Sequence, residues 1–267
     1  MWIPLFRLLT ELSSRPSVAK LAGKFAKSAA SRRLIRRFAA VYRIALDEAE
    51  HAVDQYRSLN DFFIRKLKPG ARPVDASADS IVSPVDGTIA ETGVIDAERT
   101  FLVKGQRYTV DELLGGTAQS DRYRGGGFAV IYLSPANYHR IHAPVRAKVA
   151  GVDRLPGTVY PVNDPSLRHM RRVLSRNVRI VTYLEWTCGL LALVKVGAMN
   201  VGSIRFAAGD DPPPEVDKGD ELAYFEFGST VVLLWEPGSI ALREDLAPGT
   251  PVRMGEKIGK CAPYRPA

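Results

Sequence analysis

Four histidines occur, His51, His139, His142 and His169, and two stand three residues apart in LSPANYHRIHAPV (133–145). Paired imidazoles suit either a metal or proton transfer. A catalytic metal site needs a third protein ligand. No His, Asp or Glu at matching spacing supplies one, so no metal is expected. Proton transfer needs a nucleophile for the base to serve and a group that orients the base. Asp86 in SPVDGTI (83–89) is a candidate orienting carboxylate, although Asp before Gly is also a common turn pair. Ser83, Ser134, Ser203 and Ser229 are candidate nucleophiles. No Gly-x-Ser-x-Gly elbow is present, so ordinary serine-hydrolase chemistry has no motif behind it.

Ser229 stands in the most unusual context. YFEFGSTVVLLW (224–235) reads as one buried strand with apolar residues on both faces, yet Gly228-Ser229-Thr230 interrupts it. One chemistry accounts for the break. A serine hydroxyl can attack the carbonyl of the residue before it, and glycine there gives access and tolerates strain. Elimination from the resulting ester and hydrolysis of the dehydroalanine leave a pyruvoyl group at a new N-terminus. That carbonyl is an electron sink, as pyridoxal phosphate is. The reaction needs a base on the serine, a role suited to a His oriented by an Asp.

The elements that must position these residues fall into two regions. Residues 1–43 hold ten Lys or Arg and one acid, a net +9, whereas the whole 267-residue chain carries +8. The remaining 224 residues therefore sum to −1. Such asymmetry argues against nucleic-acid binding, which wants basic residues across a folded face. Leu21, Phe25 and Ala29 form one helical stripe, and Leu34, Ile35, Phe38, Ala39 and Tyr42 a second, each flanked by basic residues. With Trp2, Leu5, Phe6, Leu8 and Leu9 ahead of them, these helices suit an anionic membrane surface. A solvated basic face on a packed helical subdomain is the plainer alternative. No apolar run approaches the roughly 18–20 residues that span a bilayer, and no secretory signal pattern is present.

SLNDFFIRKL (58–67) reads as a short helix capped by Ser58 or Asn60. From about residue 80 the pattern becomes short strands between turns. The expected fold is α+β: N-terminal amphipathic helices (1–50), then a mostly antiparallel β barrel-sandwich-like catalytic body (51–267). The arginines of PSLRHMRRVLSRNVR (165–179) suit a mobile, phosphate-reading loop or a solvated basic one. Cys188 and Cys261 lie far apart without metal-ligand spacing, so two separate thiols and a reducing compartment are expected.

Taken in order, SLNDFFIRKLKPGARPV (58–74), SPVDGTI, LSPANYHRIHAPV, LPGTVYPVN (155–163), VKVGAMNVGSI (194–204) and KGDELAYFEFGSTVVLLWE (218–236) resemble segments of the phosphatidylserine decarboxylases. The likeness spans residues 55–262. Asn137 stands where an Asp is common, which removes a charge partner near His139. The resemblance implies that Asp86 orients His142 and that His142 deprotonates Ser229. Cleavage between Gly228 and Ser229 would then give a β chain, 1–228, and an α chain, 229–267. It further implies that Ser229 becomes a covalent pyruvoyl cofactor, that His139 acts in decarboxylation, and that Tyr160, Val162 and Asn163 belong to the substrate-binding segment. The implied reaction converts phosphatidylserine to phosphatidylethanolamine through a Schiff base. The implied enzyme is peripheral on the cytoplasmic face of the cell membrane, with phosphatidylserine and the anionic surface as partners and a homodimer left open. A pyruvoyl enzyme acting on a soluble amino acid and a non-enzymatic barrel-sandwich binding module are the competing readings.

Overall fold

The computed structural model describes residues 16–116, 118–198, 204–226 and 229–262. Its centre is an eight-stranded sheet in the order β11 (Glu215–Val216), β7 (Ala147–Leu155), β8 (Arg179–Trp186), β9 (Gly189–Gly197), β13 (Ser229–Trp235), β5 (Gly127–Leu133), β2 (Gly87–Val94), β15 (Pro251–Val252), antiparallel at every pairing. The sheet does not close into a barrel. Strand β13 lies inside it and is buried on both faces, because apolar residues occupy both of its alternating sets. Val231, Leu233 and Trp235 enter one core, and Val232 and Leu234 enter the other.

Two small sheets cover the first core: β1 (Ser80–Val82), β16 (Lys257–Cys261) and β14 (Ile240–Leu242) in that order, and β10 (Ile204–Phe206), β12 (Glu221–Phe225) and β6 (Arg140–His142). The second core lies under the hairpin β3 (Thr100–Val103) and β4 (Gln106–Thr109), with short helices beside it. The architecture is thus the α+β, mostly antiparallel sandwich that the strand pattern predicts.

Six α-helices occur among the described residues: α1 (Pro16–Lys27), α2 (Ile35–Tyr42), α3 (Leu59–Phe63), α4 (Val110–Leu114), α5 (Asp164–His169) and α6 (Val173–Arg176). Both basic stripes are helical as expected, and Ile35 and Ala39 of α2 pack with Tyr56 and Phe62 in a third small core. Trp2, Leu5, Phe6, Leu8 and Leu9 lie outside the described residues. Ser58 caps α3, its Oγ accepting from the Asp61 N–H at 3.1 Å. Among the described residues, no helix is long and apolar enough to cross a membrane.

Three expectations change. YFEFGSTVVLLW is not one strand: Tyr224 and Phe225 end β12 in a small sheet, and Ser229 begins β13 in the large one. The small residues Ser229 and Thr230 open the second strand rather than interrupt a single one. Next, 165–179 is not a plain loop: it holds most of α5 and all of α6, and several of its arginines are engaged, although Arg168, Arg171, Arg172 and Arg176 stay exposed. Arg168 pairs with Asp164, Arg172 with Glu112, and Arg179 donates to the carbonyls of Leu113, Asn177 and Glu112. Finally, Cys188 and Cys261 are not separate thiols. They form a disulfide with Cα atoms 6.1 Å apart, because the turn after β8 meets the end of β16. The argument for a reducing compartment loses its basis with them.

Candidate active site

Ser229 opens β13, paired with Leu133 of β5 on one side and Gly197 of β9 on the other. It is fully buried, and its Oγ has no hydrogen-bond partner among the described residues. Leaving a buried hydroxyl unsatisfied costs about 1–3 kcal/mol, so such a group asks for a reason. Gly228 lies outside the described residues.

A second buried group without a partner is His139. Its Nδ1–H donates to the carbonyl of Asn137 at 2.9 Å, which makes Nε2 the acceptor nitrogen, and Nε2 is unpartnered among the described residues. Complete burial, with the charge of Arg65 adding to it, pushes the His139 pKa down to about 3, so the imidazole is neutral at physiological pH. The Phe63 ring lies against it with centroids 3.9 Å apart. Arg65, just past α3, is itself buried. Its Nη2 donates to the carbonyls of Ala136 at 3.1 Å and Asn137 at 3.4 Å. The Asn137 carbonyl therefore receives both His139 and Arg65. The Asn137 side chain turns to Ser134, accepting from its N–H and Oγ at 2.8 Å each. An amide fills that local role as well as a carboxylate would.

Neither Ser229 nor His139 lines a cavity of about 410 Å³, but a neighbour of each does. Leu133, beside Ser229, and Phe63, against His139, line it. Val162 and Asn163 form another part of its wall, and Ala22, Phe25 and Ala26 of α1 with Phe38 and Tyr42 of α2 close it on the side of the N-terminal helices. Lys27, ending α1, forms an ion pair with buried Glu226 at 2.7 Å. The basic N-terminal region is thereby tied to the segment that leads into Ser229.

Asp86 sits in the turn before β2, and His142 ends β6 close to that turn. The His142 N–H donates to the Pro84 carbonyl at 2.8 Å, and the Val82 N–H donates to the Pro144 carbonyl at 3.0 Å. Gly87 follows Asp86 because a Cβ there would meet the Tyr132 carbonyl oxygen at 2.6 Å. The two side chains do not meet. Arg72 and the Met254 N–H hold the Asp86 carboxylate. His142 donates Nδ1–H to the Gly219 carbonyl at 2.7 Å, and its Nε2 accepts from the Tyr138 hydroxyl at 3.1 Å. Burial lowers the His142 pKa, opposed first by the Gly219 carbonyl, then by the Glu221 charge, and least by the Asp86 charge.

Of the substrate-segment residues, Val162 and Asn163 line the cavity, with Asn163 also capping α5 through the Ser166 N–H. Tyr160 is buried; its hydroxyl accepts from Arg176 at 2.8 Å. Sequence reasoning singled out neither Phe63 nor Arg65, and left Tyr138 and Arg72 without roles. Phe63, Arg65, Arg72 and Tyr138 all fall inside the quoted segments, but the partners of Phe63, Arg65 and Arg72 come from other segments of the chain. Among the described residues, no group of three or more His, Cys, Asp or Glu is placed to hold a metal ion.

A family model described as phosphatidylserine decarboxylase matches residues 59–260. Proteins named phosphatidylserine decarboxylase proenzyme from Bacillus cereus (strain ATCC 10987 / NRS 248) and Bacillus thuringiensis (strain Al Hakam) are each 44% identical over 254 residues, covering 95% of this chain and 96% of theirs. The match takes in α3, both histidines of the Tyr-His-Arg-x-His segment, the cavity-lining loop and the Ser229 strand. On this evidence, the chain belongs to the phosphatidylserine decarboxylase family.

Proposed function

We propose that the chain cleaves itself between Gly228 and Ser229, that Ser229 becomes a pyruvoyl group, and that the mature enzyme decarboxylates phosphatidylserine as a peripheral protein at an anionic membrane surface. The observation that carries this reading is the Ser229 hydroxyl, fully buried and unpartnered among the described residues, on a strand whose partner residue Leu133 lines an apolar cavity. A hydroxyl there has no packing purpose. It suits a residue that is to be converted into a carbonyl.

The pyruvoyl carbonyl supplies an electrophile for the substrate amine and a sink for the electron pair left when CO2 departs. The residues around it do the rest. His139, neutral with Nε2 free to accept, is suited to moving a proton near the reacting carbon. The Phe25, Phe38 and Val162 walls exclude water and suit the apolar part of a lipid, which reaches the cavity past the N-terminal helices. In self-cleavage His142 serves as the base. For its Nε2 to take the Ser229 proton, the Tyr138 hydroxyl must release it. The charges of Glu221 and, more weakly, of Asp86 favour the imidazolium that forms.

Intact mass under reducing, denaturing conditions tests the reading. Two chains ending at 228 and starting at 229 are expected, the smaller carrying a carbonyl in place of its amine. Turnover by a single uncut chain would overturn it.

A further inference from the structure

Cys188 lies in the turn between β8 and β9, and Cys261 ends β16. Their Cα atoms, 6.1 Å apart, are within the range of about 4.4–6.8 Å that a disulfide spans. The two residues flank the proposed cleavage site in sequence, 188 on the side of residues 1–228 and 261 on the side of 229–267. We propose that this pair is an interchain modification site: its disulfide keeps the two products of self-cleavage covalently joined. The proposal rests on the cleavage reading above. With two cysteines in the chain, no other disulfide can join the products.

The bond forms by thiol–disulfide exchange with a small-molecule or protein disulfide as oxidant. The two thiols lose two protons and two electrons, one S–S bond forms, and the oxidant's S–S bond breaks to give two thiols. Both cysteines are only half-buried, so an exchanging thiol can reach them. The link has a physical use. The smaller product runs from 229 to 267 and is too short to hold a core alone. It nonetheless contributes β13, the centre of the large sheet, and carries the residue that is to become the electrophile. The disulfide ties its distal strand β16 to the β8–β9 turn. If the sheet opens, β13 stays at high effective concentration beside β5 and β9.

The test is a denaturing gel of protein from producing cells whose free thiols are blocked with N-ethylmaleimide at lysis, run with and without reductant. One band of full-chain mass without reductant and two bands with it are expected, together with a Cys188 peptide linked to the Cys261 peptide in a non-reducing digest. Two bands in both lanes, with both cysteines alkylated, overturn the proposal while leaving the cleavage reading intact. One band in both lanes overturns the cleavage reading, and the interchain assignment falls with it. A Cys188→Ser variant should give two bands without reductant. After urea unfolding and refolding without reductant, its recovered activity should fall at least tenfold on hundredfold dilution, whereas that of the parent should not. Equal dilution dependence in both overturns the functional part of the proposal.

Discussion

Arg72 grips both carboxylate oxygens of Asp86, with Nε at 2.8 and 3.0 Å and Nη2 at 2.6 Å, and its Nη2 also reaches Glu48 at 2.8 Å. Both partners of the central pair are largely buried, at 8% and 6% side-chain exposure. Removing one member of such a pair strands the other charge and costs about 3–5 kcal/mol. Arg72→Ala is therefore expected to lower the urea midpoint sharply and to slow self-cleavage, because the Asp86 turn packs on His142. Arg72→Lys should recover only part of both, since one ammonium cannot reproduce a forked contact. Unchanged cleavage kinetics and midpoint in Arg72→Ala would remove Arg72 from the processing machinery.

His139 and His142 both have folded pKa values below the unfolded value of about 6.5, His139 at about 3. Their contribution is complete above pH 6.5 and is lost as pH falls from there towards 3, because the unfolded chain then binds protons that the folded chain refuses. At pH 5, His139 alone should cost about 2 kcal/mol relative to neutral pH. Chemical denaturation at pH 7.5 and 5.0 reads this, and His139→Phe should flatten the dependence. The same variant should still be cleaved but lose decarboxylation by at least a hundredfold. Near-normal turnover would end the role assigned to His139.

Arg65 reaches His139 through the shared Asn137 carbonyl. Arg65→Met should leave cleavage complete and KM within twofold, and lower kcat about tenfold, since the carbonyl that orients the imidazole loses its own anchor. Arg65→Lys should restore part of that kcat. A KM effect without a kcat effect would instead make Arg65 a structural support for the cavity.

The N-terminal helices present Leu21 and Val41 to solvent at 71% and 67% exposure, with Phe25, Leu34, Tyr42 and Leu46 also exposed. Exposed basic residues such as Lys24, Arg33, Arg36 and Arg37 stand among them. Each basic residue near an anionic surface contributes on the order of 1 kcal/mol, screened over about 8 Å at physiological salt. Anionic vesicles should be bound at least tenfold more tightly than zwitterionic ones, with salt weakening but not abolishing binding. Leu21→Glu with Val41→Glu should reduce the salt-insensitive part. Equal binding to both vesicle types would exclude an electrostatic contribution. Deletion of the helices is a poor test, because α1 and α2 wall the cavity.

Lys195 is wholly buried on β9, donating to Thr182 Oγ1 at 2.6 Å. Burial, with Arg154 adding to it, pushes its pKa down to about 7 from 10.5. Between these values the unfolded chain holds a proton that the folded chain lacks, so stability should rise with pH from 7 to 10.5. Lys195→Met should remove that rise and raise the melting temperature at pH 7. A lower melting temperature would show that the Thr182 contact outweighs the cost of burying the amine.

The linear chain determined much of this protein because local chemistry carries it. Short, near-continuous apolar runs define β5, β8, β9 and β13, the 3.6-residue stripes define α1 and α2, and Ser58 announces the start of α3. Gly228-Ser229-Thr230 is visible as a break because small polar residues have no place inside an apolar strand. Tertiary structure decided what depends on residues distant in sequence. It split the interrupted strand between two sheets. It joined Cys188 to Cys261, brought Lys27 to Glu226, and gave Asp86 to Arg72 rather than to His142. It also turned a basic N-terminal region into a wall of the cavity that Leu133, the strand partner of Ser229, lines. Periodicity tells which face of an element is buried, but not which other element covers it. A hydrogen bond or ion pair across many residues exists only once the sheets have packed and low dielectric makes each unpaired group costly.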